Sequence, residues 1–141
     1  MSKSNNNDKI EKLDNQHDKI ILIVEDDPLN ALTIIKFLDK TYPVEHAATP
    51  KEVIKKCKNK KYNLVLMDIN LKAEMDGIEL MKYLKENIYN YEDVPFITQS
   101  AYAMDKEKKK FMESGFSDFI SKPYTKNALL EIVAKNLSLK N

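Results

Sequence analysis

The sequence predicts an α/β fold in which helices cover both faces of a parallel sheet. Two features of the 141-residue chain indicate this class. Short continuous apolar runs, typical of strands that are buried on both faces, alternate with segments whose apolar residues recur at helical spacing. The connections between them are short, so each strand-helix-strand unit is expected to make a right-handed crossover within one parallel sheet.

The first predicted strand and helix flank an acidic turn. Residues 20–24 (Ile-Ile-Leu-Ile-Val) form an apolar run that stops at the acidic residues 25–27. Asp27 is a good N-cap residue, and the proline after it is favoured at the first helical position. The helix is expected to reach about Tyr42 and to bury one apolar stripe, made of Ala31, Leu32, Ile34, Ile35 and Leu38.

The second strand-helix pair is predicted at residues 43–60. Residues 43–48 form a short strand, and His46 is expected to be a strand residue rather than a ligand because no second histidine or cysteine accompanies it. Thr49 is a good N-cap, a proline follows it, and Glu52 is expected to complete a capping box. These features predict a helix that reaches about residue 60.

The remaining elements follow the same alternation. Residues 64–68 (Leu-Val-Leu-Met-Asp) form a buried strand that ends abruptly on the carboxylate of Asp68. A helix opened by Gly77 follows, with its apolar residues Leu80, Met81, Leu84 and Ile88 facing inward. The next pair is a strand at 94–99 and a helix from Ala101 to Ser114 that is ended by Gly115. The last pair is a strand at 118–121 and a helix capped by Thr125, whose inward residues are Leu129, Ile132, Val133 and Leu137. Five such pairs predict a flavodoxin-like, doubly wound (βα)5 fold with strand order 2-1-3-4-5.

Composition excludes several classes of protein. Lys and Arg number 23 against 22 Asp and Glu, so a net charge of +1 provides no overall attraction to nucleic acid or anionic lipid. The single cysteine, Cys57, excludes an intramolecular disulfide and a cysteine-based zinc site, and it is expected to be a half-buried hydrophobe. No apolar run approaches the roughly 20 residues that span a bilayer. We therefore expect a cytoplasmic protein without direct nucleic-acid or membrane contacts.

Residues 1–18 are polar and rich in asparagine. A segment of this composition cannot offset its own ordering entropy, so we expect a flexible leader or a linker remnant ahead of a domain at 19–139. His17 is not expected to be a phosphoacceptor, because such a histidine requires a helical bundle that this segment cannot build.

Three carboxylates are predicted to meet at one edge of the sheet. In the order 2-1-3-4-5 the first and third strands are neighbours, so Glu25 and Asp26 are expected beside Asp68. Taken alone, Asp68 could simply begin a loop. Like charges this close cost several kcal/mol unless a proton or cation intervenes, and hard oxygen ligands suit Mg²⁺. The alternative is that one acid is protonated or turned to solvent.

A cation and a hydroxyl are predicted at the same edge. Lys122 follows the fifth strand, and the Lys122-Pro123 bond, in a tight turn, is a candidate for the cis form. Ser100 ends the fourth strand and can bond a phosphoryl oxygen. A nucleophilic carboxylate, a metal site, a lysine and a hydroxyl together fit phosphoryl transfer onto Asp68.

In this order and spacing the motifs resemble those of a response-regulator receiver (CheY-like) domain of two-component signalling. The resemblance covers roughly residues 19–139. The matching pieces are a strand plus Glu25-Asp26, a strand ending Met67-Asp68, Met75-Asp76-Gly77, Ser100-Ala101 and Lys122-Pro123.

The resemblance implies a phosphoacceptor and a magnesium site. Asp68 would accept a phosphoryl group from a histidine of a sensor histidine kinase or a histidine phosphotransfer protein. Asp26 and Asp68 would bind Mg²⁺, with Glu25 acting largely through water and Asn70 through its backbone carbonyl.

The resemblance also implies a switch rather than a conventional enzyme. Lys122 would pair with the phosphoryl group, the Ser100 hydroxyl would move toward it, and the Phe119 ring would swing inward behind. The domain would catalyse its own phosphorylation and dephosphorylation. The face around the fourth and fifth helices would control a downstream protein that the sequence does not identify.

The chain departs from the family pattern in the loop after Asp68 and at the switch aromatic. Lys72 stands where a proline is usual, the loop has one residue more than the commonest form before Gly77, and Phe119 replaces the commoner tyrosine. Thr98 is an alternative hydroxyl that falls two residues early in its strand. Asn70 and Tyr102 occupy positions that influence dephosphorylation in the family, and we hypothesise that Tyr102 screens the phosphoryl group from water.

Other classes fit the residues less well. An aspartyl-nucleophile phosphatase would want a second acid two residues after Asp68, where this chain has Asn70. A flavin module would need a phosphate-binding loop after the first strand, but residues 25–27 would repel that phosphate. A degenerate receiver is disfavoured because the chain has a suitable residue at every position that the proposed phosphoryl transfer requires.

The lysines at 106 and 108–110 favour a solvated helix surface over a docking site for an acidic partner. Both a stand-alone regulator and a fragment of a hybrid kinase remain open.

Overall fold

The computed structural model describes residues 18–101 and 105–138, which form a parallel sheet of five strands flanked by five helices. The strands are β1 (Ile21–Val24), β2 (Val44–Ala47), β3 (Leu64–Asp68), β4 (Phe96–Ser100) and β5 (Asp118–Ser121). The helices are α1 (Pro28–Leu38), α2 (Pro50–Asn59), α3 (Gly77–Asn87), α4 (Asp105–Ser114) and α5 (Lys126–Ser138). The strand order is β2-β1-β3-β4-β5, so the predicted fold class and topology are confirmed.

Each face of the sheet has its own core. Alternate residues of β1 and β3 point to opposite sides, and every residue of both strands is buried. Leu22 and Val65 belong to the core on the α2, α3 and α4 side, whereas Ile21 and Leu64 belong to the core on the α1 and α5 side. Two-sided burial explains why these strands read as continuous apolar runs.

The strand register brings the acidic strand ends to one level. Val24, the last residue of β1, pairs with Met67 of β3. Glu25, which follows β1, and Asp68, which ends β3, therefore lie side by side. On the other side of β3, Asp68 pairs with Gln99 of β4. The carboxyl edge of the sheet therefore gathers the residues that were predicted to share a site.

Helix α1 corrects two predictions. It ends at Leu38 rather than near Tyr42, and the Leu32 side chain is 48% exposed instead of buried. The buried positions are Ala31, Ile34 and Leu38, which recur at intervals of three and four residues. Leu32 lies one residue off this series, about 100° around the helix, so it faces solvent.

Helix starts follow the predicted caps, with one correction. The Thr49 side chain accepts the Glu52 N–H at 3.2 Å, but the Glu52 carboxylate accepts the Ala48 N–H at 3.3 Å and does not return to the cap residue. A reciprocal capping box instead occurs at the start of α3, where Asp76 and Glu79 exchange side-chain to backbone hydrogen bonds of 2.9 and 3.2 Å.

Other predicted details have mixed outcomes. Strand β4 begins at Phe96, two residues later than predicted, and α4 is described from Asp105. Cys57 is 3% exposed, more deeply buried than expected. The Lys122–Pro123 peptide bond is cis.

Some predictions concern residues outside the ranges 18–101 and 105–138 that the structure describes. His17, Tyr102 and nearly all of the predicted leader at 1–18 lie outside the described residues. Within the described residues, no helix combines the length and apolar character needed to cross a membrane.

Candidate functional site

Three acidic side chains meet at the carboxyl edge of the sheet, as predicted. Glu25 directly follows β1, Asp26 comes next, and Asp68 is the last residue of β3. Each offers a carboxylate oxygen, and these oxygens lie within 4.8 Å of one another. Glu25 is 1% exposed and Asp68 is 7% exposed, while Asp26 is half-buried. Water therefore screens the repulsion among these carboxylates only weakly.

Lys122 supplies a positive charge to the cluster. Its Nζ lies 3.4 Å from Asp68 Oδ2 and 3.9 Å from Glu25 Oε1. The residue lies just beyond β5, and its backbone N–H donates to the carbonyl oxygen of Ser100 at 2.8 Å. This backbone bond fixes the start of the lysine's stem beside the end of β4.

Glu25 is the most perturbed member of the cluster. Burial, followed by the neighbouring Asp68 carboxylate, raises the pKa of Glu25 to about 7, although the Asp27 N–H and Lys122 act in the opposite direction. Glu25 Oε2 accepts the Asp27 N–H at 3.3 Å, but Oε1 has no hydrogen-bond partner among the described residues. This buried carboxylate oxygen accepts no hydrogen bond within the described part of the chain and lies close to two further carboxylates. Together these oxygens are a set of ligands that suits a hard divalent cation.

The raised pKa of Glu25 predicts a loss of stability with rising pH in metal-free buffer. The folded state favours the protonated carboxyl, so this contribution to the free energy of unfolding is complete below the ordinary pKa of 4.5 and is lost as the pH passes through about 7. We expect urea unfolding in the presence of a chelator to show a decrease of roughly 1–2 kcal/mol between about pH 5 and pH 8.

The Glu25→Gln variant is the control for this pH dependence. Glutamine has nearly the same shape and does not titrate, so its pH profile should lack the Glu25 component of the decrease. If the free energy of unfolding fell equally with pH in the wild type and in Glu25→Gln, Glu25 would not titrate in this range.

The loop after β3 is tied to two of the acids through its backbone. The Asn70 N–H donates to Asp68 Oδ1 and the Lys72 N–H donates to Asp26 Oδ2, each at 3.0 Å. Lys72 stands where the family pattern has proline, and proline has no N–H to donate. In this chain the departure therefore gains a hydrogen bond to a predicted metal ligand.

Gly77 supports the site by its lack of a Cβ, a role that the sequence did not predict although Gly77 was expected to start a helix and belongs to the family motif Met75-Asp76-Gly77. A Cβ at this position would lie 2.6 Å from the Asp68 carbonyl oxygen and 2.9 Å from the Ile69 Cα. The Gly77 N–H also donates to the Ile69 carbonyl at 3.1 Å. Only a residue without a Cβ lets α3 begin directly against the backbone of the predicted phosphoacceptor.

The two candidate hydroxyls have different environments. Ser100 is the last residue of β4, is 3% exposed, and lies at the same edge as Asp68. Thr98 is fully buried, and its hydroxyl donates to the Met67 carbonyl at 3.1 Å inside the sheet. This internal bond disfavours Thr98 as the alternative to Ser100.

Phe119 lies in β5 and is half-buried against α4. Its ring centroid is 6.0 Å from that of Phe111, and Lys108 Nζ lies 5.4 Å from the Phe119 centroid. The sequence favoured a solvated helix surface for Lys108 over a docking site for an acidic partner, and neither interpretation predicts its position over the Phe119 ring.

His46 is a strand residue as predicted, and its Nε2 lies 2.7 Å from the Glu25 carbonyl oxygen.

Comparison with known proteins places this geometry in a family. A family model described as the response regulator receiver domain matches residues 21–134. Histidine protein kinase 1 of Candida albicans is 34% identical over 133 residues, which cover 87% of this chain and 5% of that protein. The aerobic respiration control sensor protein ArcB of Escherichia coli is 32% identical over 116 residues, covering 82% of this chain and 15% of that protein. The chain therefore spans only a small part of the length of these relatives.

Solved structures agree with the sequence comparisons. The receiver domain of the sensor histidine kinase PA1611 from Pseudomonas aeruginosa, solved with a magnesium ion coordinated in its active-site cleft, superimposes with a TM-score of 0.76 at 26% identity. The match covers 85% of this chain and 98% of that one. Fold, matched residues and acidic site thus agree, and the chain belongs to the response-regulator receiver domain family.

Proposed function

We propose that Asp68 accepts a phosphoryl group from a phosphohistidine of a sensor histidine kinase or a histidine phosphotransfer protein. The observation that carries this proposal is the position of the Asp68 carboxylate, 3.4 Å from Lys122 Nζ and within 4.8 Å of the carboxylates of Glu25 and Asp26. Two of the proteins compared above, from Candida albicans and Pseudomonas aeruginosa, are named as histidine kinases, which supports a phosphohistidine donor.

In the proposed reaction a carboxylate oxygen of Asp68 attacks phosphorus while the bond from phosphorus to the donor imidazole breaks. The imidazole nitrogen keeps the electron pair of that bond, and the product is an acyl phosphate on Asp68. Asp68 Oδ1 is held by the Asn70 N–H, whereas Oδ2 faces Lys122, whose ammonium group can neutralise a phosphoryl oxygen.

The acidic cluster is proposed to hold Mg²⁺ through Asp26, Asp68, the Asn70 backbone carbonyl and, through water, Glu25. Bound there, the ion would neutralise charge on the phosphoryl oxygens. Glu25 Oε1, which has an ion pair with Lys122 at 3.9 Å but no hydrogen-bond partner among the described residues, supports a cation at this position, and so does the magnesium ion in the related Pseudomonas receiver domain.

The proposed switch links the site to the α4 and β5 surface. Ser100 would move its hydroxyl toward the phosphoryl group, and Phe119 would turn inward from its present contacts with Phe111 and Lys108. Loss of these contacts would change the face around α4 and α5, which is where we propose that a downstream protein binds.

We extend the proposal to the organisation of the chain. Residues 19–139 would act as the receiver unit in the cytoplasm, with residues 1–18 as a leader or linker. The unit would catalyse its own phosphorylation and dephosphorylation, since nucleophile, cation and metal ligands come from the same chain.

Treatment with a small phosphodonor tests this function. With acetyl phosphate and Mg²⁺ we expect one base-labile phosphoryl group per chain, detected by intact-protein mass spectrometry and removed by mild alkali. A chelator in place of Mg²⁺ should prevent the incorporation. A wild-type protein that gains no phosphate from acetyl phosphate or a second donor, phosphoramidate, would act as a degenerate receiver, contrary to the proposal.

A further inference from the structure

A buried hydrogen bond lies beside Lys122, at the segment between β5 and α5. The Tyr124 hydroxyl donates to Gln99 Oε1 at 2.7 Å, and Gln99 is 0% exposed. The Tyr124 ring packs edge-on against Phe37 of α1, with ring centroids 6.4 Å apart. Tyr124 thus connects the segment that carries Lys122 to the end of β4 and to α1.

The Gln99 amide and the Asp68 carboxylate project from the same side of the sheet. Gln99 of β4 pairs with Asp68 of β3. Two residues earlier, Ile97 pairs with Leu66, and both belong to the core on the α1 and α5 side. Because side chains alternate along a strand, Asp68 and Gln99 also point to the α1 and α5 side.

Lys122 and the Tyr124 phenol lie close to the same position. Lys122 Nζ is 3.4 Å from Asp68 Oδ2, and Lys122 and Gln99 border one cavity between α1 and the segment after β5. Burial, followed by the charges of Glu25 and Asp68, raises the pKa of the Tyr124 phenol. The phenol is therefore protonated at neutral pH and remains a donor to Gln99.

Without the phenol, the Gln99 oxygen would compete with Asp68 for the lysine. A buried carbonyl oxygen needs a donor, and a hydrogen bond from a charged donor is stronger than one from a neutral donor. The ammonium group of Lys122 is such a donor. Gln99 Nε2 has no hydrogen-bond partner among the described residues, so no second bond there would oppose rotation of the amide toward Lys122.

We propose that Tyr124 is a positioning residue for phosphoryl transfer: its hydroxyl holds the Gln99 oxygen and thereby keeps Lys122 on Asp68. This inference rests on the function proposed above, in which Lys122 neutralises a phosphoryl oxygen. A hydrogen bond that only braced the fold would behave differently, because removal of either partner would break it with the same effect.

Three variants separate these two roles, with the rate of phosphoryl incorporation from acetyl phosphate as the measurement. Tyr124→Phe releases the Gln99 oxygen and should lower the rate about tenfold, the effect of one hydrogen bond to a charged group. Gln99→Leu breaks the same bond but removes the oxygen, so it should lower the rate less than about twofold. The half-buried Tyr124 can then donate to water. The double variant, Tyr124→Phe with Gln99→Leu, should recover most of the rate that Tyr124→Phe loses.

The position of Lys122 can also be followed without phosphate. In carbon-proton NMR spectra of the lysine Cε groups, assigned with Lys122→Arg, the Lys122 signal should shift in Tyr124→Phe and stay nearly unchanged in Gln99→Leu. Tyr89→Phe is the matched control, because it removes the same hydroxyl from an 87% exposed ring between α3 and β4. It should change neither the rate nor the Lys122 signal, and circular dichroism checks that every variant folds.

Several results would overturn the inference. Equal losses of rate in Tyr124→Phe and Gln99→Leu would assign the bond to the fold alone. A folded Tyr124→Phe protein with the wild-type rate and Lys122 signal, or a double variant as slow as Tyr124→Phe, would also contradict it. If the wild type takes up no phosphate, the function proposed above fails instead, and the Lys122 signal alone decides whether Tyr124 holds the lysine in place.

Discussion

Replacement of Asp68 by asparagine should reduce phosphoryl incorporation from acetyl phosphate by at least about 100-fold, because a carboxamide oxygen is a poor nucleophile. The fold should be retained, since asparagine has the same size and can still accept the Asn70 N–H at its oxygen. Removal of one of three crowded carboxylates also relieves the repulsion that helps to raise the pKa of Glu25. The thermal midpoint should therefore not fall below that of the wild type in metal-free buffer.

The matched control is Asp27→Asn. It removes one charge from the same acidic turn, and asparagine can still cap α1 by accepting the Leu29 N–H that Asp27 now accepts at 3.0 Å. Asp27→Asn should be phosphorylated at close to the wild-type rate. Wild-type incorporation into the Asp68→Asn protein would place the phosphoacceptor elsewhere and remove the central claim.

The fold and the acidic cluster could be predicted because both depend on simple patterns. A strand buried on both faces must be apolar throughout, so β1 and β3 are visible as continuous runs. Once the strand order is known, residues at the ends of neighbouring parallel strands must meet. The proximity of Glu25, Asp26 and Asp68 follows from these two facts, and the position of Lys122 follows from the same edge rule.

Other features depend on contacts between distant parts of the chain. The end of α1 and the exposure of Leu32 depend on how the helix rotates against the sheet, which apolar content alone does not define. The Lys72 N–H reaches Asp26 across 46 residues of sequence, so no local pattern announces the bond. The roles proposed for Ser100, Phe119 and the Asn70 carbonyl remain predictions because they concern a phosphorylated, metal-bound state.

Gly77 is the clearest case of a constraint that becomes visible only in three dimensions, and Gly77→Ala should be strongly disruptive. The added Cβ would meet backbone atoms, the Asp68 oxygen at 2.6 Å and the Ile69 Cα at 2.9 Å, and backbone cannot rotate away as a side chain can. Either α3 must shift at its start or the end of β3 must move. We expect a loss of about 2–3 kcal/mol in the free energy of unfolding, the upper range for overpacking, reduced only slightly by the lower chain entropy of alanine.

The same substitution should slow phosphorylation, because a displaced Asp68 backbone carries its carboxylate away from Lys122. Urea unfolding and the rate of incorporation from acetyl phosphate, both measured on Gly77→Ala, test the two effects. Lys126→Ala is the control, since it also places alanine at the first residue of a helix, but at an exposed position that should change stability by no more than about 0.5 kcal/mol. If Gly77→Ala unfolds and accepts phosphate as the wild type does, the close approach of α3 to β3 is not what positions the phosphoacceptor. A loss of both properties in Gly77→Ala alone would show that one missing Cβ allows α3 to support the carboxylate on which the chemistry depends.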